Sequence, residues 1–331
     1  MTIARRSMLA ATVALLGPPL FAPSIARGQS TIVLRWGDVQ APTHPSVQAA
    51  GRTAKEVKKK TSGRVEIQTF PSGQLGGSRD MVKATSSGAM GIVTEGGALI
   101  GQFLPQMSII EAPYIPKDAA QMSRALASPF VGELNKSLID KRDLRIVASH
   151  CYGKRHLTTG SKPVRTAADM VGFKLRVPEV DTFVAMTEAW GAKATLLNFG
   201  ELYLALSRCA VDGQENPLPT IQAGKLFEVQ KYLVLTGHII TPRLVVANET
   251  LWKKLTPADR DAVTVAIRSN AAWNDAEIVR QESTLADTFQ KAGMTVIEPD
   301  VESFRKPVLA SVPRKFEAEW DKGLWERLQA L

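Results

Sequence analysis

Two arginines in this sequence lie beside residues that belong in a protein interior, and both have the chemistry to bind an anion. Arg176 lies near the end of the apolar stretch 173–177, and strand ends in α/β folds face the ligand crevice. Arg155 lies in the segment 152–159, shortly after an apolar stretch at 144–148. A planar guanidinium holds a carboxylate through two parallel hydrogen bonds, so the pair indicates a carboxylate site. From spacing alone, each arginine could also be a surface charge or half of a structural ion pair.

A third candidate is the segment 212–217, Asp-Gly-Gln-Glu-Asn-Pro, which brings two side-chain amides close together in the chain. Buried amides offer both hydrogen-bond donors and acceptors, which suits a polar ligand. The competing interpretation is a turn that ends a helix, because Asp-Gly and Asn-Pro both favour turns. The residue types leave both interpretations open.

Patterns for other chemistry are missing from the sequence. None of the four histidines lies three or four residues from another, so no helical zinc pair is present. There is no Gly-x-Ser-x-Gly elbow and no glycine-rich phosphate loop before a lysine. Cys151 and Cys209 could form a disulfide in an oxidising compartment or could both stay unpaired. We therefore expect no metal and no cofactor.

Composition and charge narrow the class of protein. The chain has 331 residues, 44% of them hydrophobic and 22% charged, which is typical of a globular protein of roughly two domains. Its net charge is +9, and removal of residues 1–28 with their three arginines leaves +6. For an exported chain, so small an excess of positive charge does not indicate a nucleic-acid partner.

The first 28 residues have the pattern of an export signal. Arg5 and Arg6 precede the short apolar run 8–16, and small residues follow at 24–26. The run is shorter than the roughly 20 residues that span a bilayer, although an N-terminal anchor is the competing interpretation. The paired arginines resemble a twin-arginine signal, but Sec signals also carry arginines. We expect a mature protein in the periplasm that does not span the membrane.

The mature chain alternates between strand and helix patterns, which predicts an α/β fold. Strands are predicted over 31–36, 64–70, 91–94, 144–148, 173–177, 194–197, 232–235 and 244–247. The stretch 257–292 follows the cap residue Thr256, begins with Pro257 and contains no further proline or glycine, so it predicts a continuous helix about 54 Å long. Such a helix is longer than one domain is wide and favours two lobes joined by a bridging helix.

Several segments match a known family when they are taken together and in order. They are Gly63-Arg64-Val65, 70–76, Gly153-Lys154-Arg155 with Thr158, Lys162-Pro163-Val164, Asp169, 172–178, 199–206 and 211–217. With them the chain resembles the extracytoplasmic solute-binding proteins of tripartite ATP-independent periplasmic (TRAP) transporters, the DctP-like family. The resemblance implies two α/β lobes that close on a ligand, with lobe I at 30–152 plus 241–280 and lobe II at 153–240 plus 281–331.

The resemblance also implies roles for individual residues. Arg176 matches the family's carboxylate-clamping arginine, and Arg155 matches the second arginine near the ligand. Asn216 matches the cleft asparagine, and Phe199 matches an apolar position of the wall. The implied function is the capture of an organic acid and its delivery to TRAP membrane permease subunits, without enzymatic activity.

Two other functions fit part of the same pattern. An exported enzyme could use an arginine to hold a carboxylate substrate, and a receptor module could report the ligand to a sensor kinase. The missing catalytic motifs favour binding over catalysis.

Overall fold

Apolar strands alternate with helices to build one mixed sheet covered by helices in the computed structural model, which describes residues 31–321 and 323–330. The export signal predicted over 1–28 lies outside these residues. The strands are β1 (Ile32–Gly37), β2 (Val65–Phe70), β3 (Ile92–Gly96), β4 (Leu144–Thr159), β5 (Lys174–Val177), β6 (Lys193–Leu196), β7 (Gly213–Pro217), β8 (Tyr232–Asn248) and β9 (Thr295–Ile297). The α/β class predicted from the sequence is confirmed.

Helices cover the sheet and connect its strands. They are α1 (Pro45–Lys60), α2 (Ser78–Ser86), α3 (Gly97–Ile100), α4 (Ala119–Leu126), α5 (Pro129–Arg142), α6 (Asp181–Ala189), α7 (Phe199–Ser207), α8 (Leu218–Ala223), α9 (Glu249–Lys254), α10 (Pro257–Lys291), α11 (Val301–Lys315) and α12 (Leu324–Gln329). Short 3₁₀ helices occupy Pro105–Glu111, Ala167–Met170 and Leu226–Glu228. In the part of the chain that the structure describes, no helix has the length and apolarity needed to cross a membrane.

The strand order shows that one sheet extends through both halves of the molecule. The order is β2-β1-β3-β8-β4-β7-β5-β6, with β9 added beside β8. Parallel pairs lie at both ends, β1 with β2 and β3 at one end, and β5 with β6 and β7 at the other. The long strands β4 and β8 are antiparallel and run through the middle, so they belong to both halves. Their register shifts between Cys151 and Gly153 and again between Arg155 and Leu157, at the junction of the halves.

The structure corrects three local interpretations of the sequence. The strands predicted over 232–235 and 244–247 are one strand, β8, and the strand predicted over 144–148 continues to Thr159. Pairing with β4 runs from Ile239 to Asn248 and passes Pro242, whereas Gly237, with φ +55°, lies in a bulge between this stretch and the paired residues 232–234. Arg155 therefore lies within a strand rather than after one. Residues 213–217 form the buried strand β7 instead of a turn, because β4 and β5 pair with it on both sides.

The long helix α10 connects the two halves. It has 35 residues, which corresponds to about 52 Å. Thr256 caps its N-terminus by accepting a hydrogen bond from the backbone N–H of Asp259 at 3.1 Å, and Pro257 stands at its first position. The helix packs against α1 in the first half and against α8 and β9 in the second. The bridging helix predicted from the sequence is thus present, and it ends one residue before its predicted end.

The end of the chain also contacts the first half. Trp320 Nε1 donates a hydrogen bond to Ser108 Oγ at 2.7 Å. Gln121 Nε2 donates to the backbone oxygen of Gln329 at 3.0 Å. The lobe boundaries expected from the resemblance stay a prediction, and these contacts join residues that it assigns to different lobes.

Candidate functional site

A cleft between the two halves encloses about 690 Å³ of empty space, part of it open to solvent. Its first wall comes from β3, the N-terminus of α2 and the 3₁₀ helix at Pro105–Glu111. Its second wall comes from β5, β7 and α7, and the long strands β4 and β8 form its floor. All four residues predicted from the sequence, Arg155, Arg176, Asn216 and Phe199, line this cleft.

Arg176 is a buried cation without a counter-ion. It lies on β5, and only 3% of the residue is exposed. Its Nε and Nη2 atoms donate to the backbone oxygen of Leu197 at 3.0 and 2.6 Å. Among the described residues no carboxylate pairs with it, and Nη1 has no acceptor. Burial lowers the pKa of the guanidinium to about 10, so Arg176 is still charged at neutral pH.

Arg155, in contrast, is already neutralised by Glu215. Arg155 lies on β4 and Glu215 on the neighbouring β7, and both are buried. The Nη2 atom of Arg155 donates to Oε1 of Glu215 at 2.7 Å, and Nε donates to Oε2. Burial opposes ionisation of Glu215, but Arg155 and His238 outweigh it and lower the pKa of the carboxyl to about 2. Arg155 thus brings no net charge to the cleft.

Asn216 and Phe199 have different surroundings. Asn216 Nδ2 donates to Gln214 Oε1 at 2.6 Å, and Asn216 Oδ1 accepts from Arg155 Nη2 at 3.1 Å. This side chain therefore holds Arg155 in place as well as lining the cleft. Phe199 is the first residue of α7 and is half-buried against the apolar cluster around Leu202. It lines the cleft with an apolar ring, and its role as a wall for the ligand stays a prediction.

The structure adds a third arginine that sequence reasoning missed. Arg243 on β8 donates to the backbone oxygen of Thr94, and its Nη2 lies 3.3 Å from Asp38 Oδ1 and 3.8 Å from Glu95 Oε2. Its guanidinium stacks over Tyr152, 5.0 Å from the ring centroid. Burial opposes the charge, but Asp38 and Glu95 raise the pKa of Arg243. The signal was in the sequence, because Arg243 interrupts an apolar strand much as Arg176 does.

Several polar atoms in the cleft residues lack partners. Gln40 Oε1, Glu95 Oε1, Thr241 Oγ1 and Arg243 Nε are buried and form no hydrogen bond within the described residues. All four residues line the cleft. Buried polar groups are nearly always paired in folded proteins. Their grouping around one space indicates that a polar ligand would complete them.

The described residues do not form a metal site or a catalytic relay in this cleft. No cluster of His, Cys, Asp and Glu in residues 31–321 and 323–330 has the arrangement of a metal site. Ser46 lies between His44 and Asp38, with Oγ 2.9 Å from His44 Nδ1 and 3.1 Å from Asp38 Oδ2. In a nucleophilic triad the histidine stands between the other two, so this cluster is better described as the N-cap of α1. Cys151 and Cys209 are free thiols.

Comparisons with known proteins agree with this geometry. The profile of the family described as "Bacterial extracellular solute-binding protein, family 7" (DctP) matches residues 36–319. A curated relative, the sialic acid-binding periplasmic protein SiaP of Vibrio cholerae, is 31% identical over 283 residues, which cover 86% of this chain and 88% of the relative.

Solved structures with the same fold carry bound acids. A TRAP periplasmic solute-binding protein of Actinobacillus succinogenes with bound L-galactonate has a TM-score of 0.86 and 30% identity, and the match covers 90% of this chain and 98% of that one. A TRAP periplasmic solute-binding protein of Polaromonas bound to D-erythronate has a TM-score of 0.84 and 30% identity, with 90% and 98% covered.

Proposed function

The chain belongs to family 7 of the bacterial extracellular solute-binding proteins, and we propose from this premise that it captures an organic acid in the periplasm and delivers it to a TRAP-type membrane permease. The observation that supports an acid is Arg176, a buried guanidinium that faces the cleft without a carboxylate partner among the described residues. A ligand carboxylate would be its counter-ion.

The strength of a contact between Arg176 and a ligand carboxylate depends on how far water is excluded from it. The attraction between a guanidinium and a carboxylate grows as the effective dielectric constant falls. Burying both ions has its own cost, which good geometry and further hydrogen bonds must offset. Because folding alone buries Arg176 among residues of this chain, part of that cost is already met when the protein folds. The fixed position of Arg176 against Leu197 also reduces the entropy that binding would lose.

The rest of the ligand should carry hydroxyl groups. The partnerless atoms of Gln40, Glu95 and Thr241 include strong hydrogen-bond acceptors, and Arg243 Nε is a donor. Hydroxyls both donate and accept, so they suit this mixture better than an apolar chain does. We therefore favour a hydroxylated monocarboxylate, a class to which the L-galactonate and D-erythronate bound by the similar structures belong.

A thermal-shift screen tests this function. The panel contains L-galactonate, D-erythronate, succinate and orotate, with galactitol as the matched control that keeps the hydroxyls and lacks the carboxylate. A ligand at about 100 times its dissociation constant adds about 2.7 kcal/mol to the free energy of unfolding. We expect L-galactonate or D-erythronate to raise the melting temperature and galactitol to leave it unchanged. Stabilisation by galactitol, or by none of the acids, would contradict the proposal.

The same samples separate binding from catalysis. After incubation the acid is recovered and its mass is measured. A binding protein returns the acid unchanged, whereas conversion of the acid would support the exported-enzyme alternative.

The periplasmic location is a separate part of the proposal. It is supported by the family and by the paired arginines and apolar run that precede Ser24 in the sequence. We expect a mature N-terminus between Arg27 and Thr31. Mass spectrometry of the periplasmic fraction measures it, and an intact Met1 there would refute removal of the signal.

The permease partner is supported by the family and by the TRAP proteins that the chain resembles in structure. Genes for two membrane subunits beside this gene would support it. A neighbouring sensor-kinase gene with no permease gene would favour the receptor alternative.

A further inference from the structure

The cleft contains a buried carboxyl that the proposed carboxylate site does not use. Glu111 is the last residue of the 3₁₀ helix at Pro105–Glu111, and 4% of it is exposed. Its Oε2 atom accepts a hydrogen bond from the backbone N–H of Ala98 at 3.1 Å. Among the described residues Oε1 has no hydrogen-bond partner, and no cation forms an ion pair with the carboxylate.

The position of Glu111 is held by the backbone on its other side. A methyl group added at Gly96 would overlap Oε2 of Glu111, so the carboxyl lies directly against β3. Both Gly96 and Glu111 line the cleft. A glycine at this place therefore lets the whole carboxyl pack against β3, with one oxygen bound to the backbone N–H of Ala98.

Charged and titratable groups from several elements act on Glu111 or line the same cleft. Arg155 on β4, Glu215 on β7 and Arg243 on β8 act on its charge, and Arg79 on α2, Glu95 on β3, Tyr152 on β4, Arg176 on β5 and Glu179 after β5 line the cleft with it. His238, also on β8, is paired with Glu215 and lies behind it. Arg155 and Arg243 favour ionisation of Glu111, and Glu215 opposes it.

The buried charges leave no cation for Glu111. In the described part of the chain, Arg155 pairs with Glu215, and Arg243 pairs with Asp38 and Glu95. Arg176 is the remaining buried arginine of the cleft, and the proposed function assigns it to the ligand carboxylate. An ionised Glu111, itself buried, would then face a second, ligand-borne negative charge, which is costly.

We propose that Glu111 binds the ligand in its protonated form, so that capture of a carboxylate takes up one proton from the solvent. This inference rests on the proposed function, because it needs the ligand to bring the negative charge. The protonated carboxyl keeps its hydrogen bond from Ala98 on one oxygen and presents an O–H donor to the ligand from the other.

The acidity of the unliganded site agrees with this mechanism. Burial raises the pKa of Glu111 to about 7, against the attraction of Arg155. A bound anion disfavours the ionised form further and raises the pKa again. The liganded protein therefore holds more protons than the free protein above about pH 7, and affinity should fall as the pH rises through that range.

The test measures proton uptake and affinity with L-galactonate as the probe. Calorimetry at about pH 7.5 in phosphate and in Tris, which differ in ionisation enthalpy, gives the number of protons that binding takes up. We expect a value between about one half and one proton, and a dissociation constant that rises roughly tenfold from about pH 6.5 to about pH 8.5. This measurement needs no variant, so it stays decisive even if a substitution prevents folding.

Two variants assign the proton to its residue. Glu111→Gln keeps the shape and a donor but cannot ionise, so its affinity should not change with pH and should exceed that of the wild type at about pH 8.5. The matched control Glu179→Gln removes a carboxyl from the mouth of the same cleft and should keep the wild-type pH dependence. A pH dependence that disappears in Glu95→Gln but persists in Glu111→Gln would overturn the assignment to Glu111.

The remaining outcomes separate this inference from the proposed function. Binding of L-galactonate that takes up no proton and does not vary with pH would overturn the inference and leave the function standing. Failure of L-galactonate, D-erythronate, succinate and orotate to bind at any pH would overturn the function and this inference with it.

Discussion

The Nη2 atom of Arg155 lies 2.7 Å from Oε1 of Glu215 on the neighbouring strand, and neither side chain is exposed by more than 6%. The pair holds two strands of the sheet together at the floor of the cleft. It also fixes the charge of the site, because it leaves Arg176 as the arginine without a counter-ion among the described residues. Two arginines that look alike in the sequence thus differ in whether a carboxylate of the described residues neutralises them.

The first prediction concerns this ion pair. Glu215→Ala leaves Arg155 buried without a counter-ion and should lower the free energy of unfolding by about 3–5 kcal/mol. Urea unfolding of the ligand-free protein measures it. As a control, Arg155→Met combined with Glu215→Gln removes both charges and should cost less than Arg155→Met and Glu215→Gln measured singly and added together. Strict additivity would contradict a coupled pair.

The second prediction concerns Arg176, whose replacement should weaken ligand binding without lowering the stability of the ligand-free protein. Arg176→Ala removes a buried cation that has no ion-pair partner in the described structure, so the ligand-free protein should melt at the same temperature or higher. A bound carboxylate would lose its counter-ion, and L-galactonate affinity should fall by about 2–5 kcal/mol, roughly 30- to 5000-fold. Calorimetry measures the affinity. Arg176→Lys keeps the positive charge but loses the two parallel hydrogen-bond donors of the guanidinium, so a substantial loss of affinity is expected there too.

An Arg176→Ala variant that melts normally and binds L-galactonate within about threefold of the wild type would refute the carboxylate role of Arg176. A variant that binds weakly only because it has unfolded would show a lowered melting temperature. The two readouts together keep the outcomes apart.

Sequence reasoning reached Arg176 because local pattern and position determine its place. Its place at the end of an apolar strand indicates the ligand side of the sheet, and the family resemblance favours that interpretation over a surface charge or a structural ion pair. The helix α10 could be predicted for a similar reason, since its cap and its lack of breakers are local properties. Both features depend on near neighbours in the chain.

The features that sequence reasoning missed depend on distant neighbours. Gly237 and Pro242 predict an interruption between two strands, but pairing with β4 on both sides of a bulge at Gly237 joins the two stretches into β8. The segment 213–217 has the residues of a turn and becomes a strand because β4 and β5 pair with it. Glu111 follows an apolar stretch and has no distinctive spacing in the sequence. Its importance comes from the arginines and carboxyls that three-dimensional packing gathers around it.

The third prediction concerns acid stability. Burial lowers the pKa of His156 to about 3 and that of His150 to about 4, from an unfolded value of 6.5. Between those values the unfolded chain binds protons that the native protein does not. The stabilisation is therefore complete above about pH 6.5 and is lost as the pH falls, by up to about 1.4 kcal/mol per pH unit for each histidine. Urea unfolding at about pH 7.5, 6.5 and 5.5 measures the slope.

Two variants separate the contributions to that slope. His156→Gln removes one such group and keeps an acceptor for the backbone N–H of Gly237, so the slope should become shallower. Glu111 acts in the opposite direction, because its raised pKa lets the native protein bind more protons than the unfolded chain between pH 4.5 and about pH 7. Glu111→Gln should therefore make the loss of stability in acid steeper. A slope that neither change alters would contradict these assignments.

The fourth prediction tests whether binding requires the two halves to meet. Gly77 at the start of α2 and Asn198 at the start of α7 approach each other at the mouth of the cleft, where a methyl group on Gly77 would lie 2.5 Å from Asn198 Oδ1. The backbone of Gly77 has φ −70° and ψ 170°, which any residue adopts, so Gly77→Ala adds no strain of its own. It opposes only the conformation in which the halves meet. If ligand binds that conformation, overpacking by about 1 kcal/mol should weaken L-galactonate binding by roughly fivefold, with no change in the melting of the ligand-free protein.

Gly200→Ala is the matched control, because a methyl group there meets nothing within 4 Å and should leave binding unchanged. Adding Asn198→Ala to Gly77→Ala should restore affinity by removing the atom that the methyl group meets. Equal affinities for Gly77→Ala and Gly200→Ala would show that closure at this contact is not needed for binding.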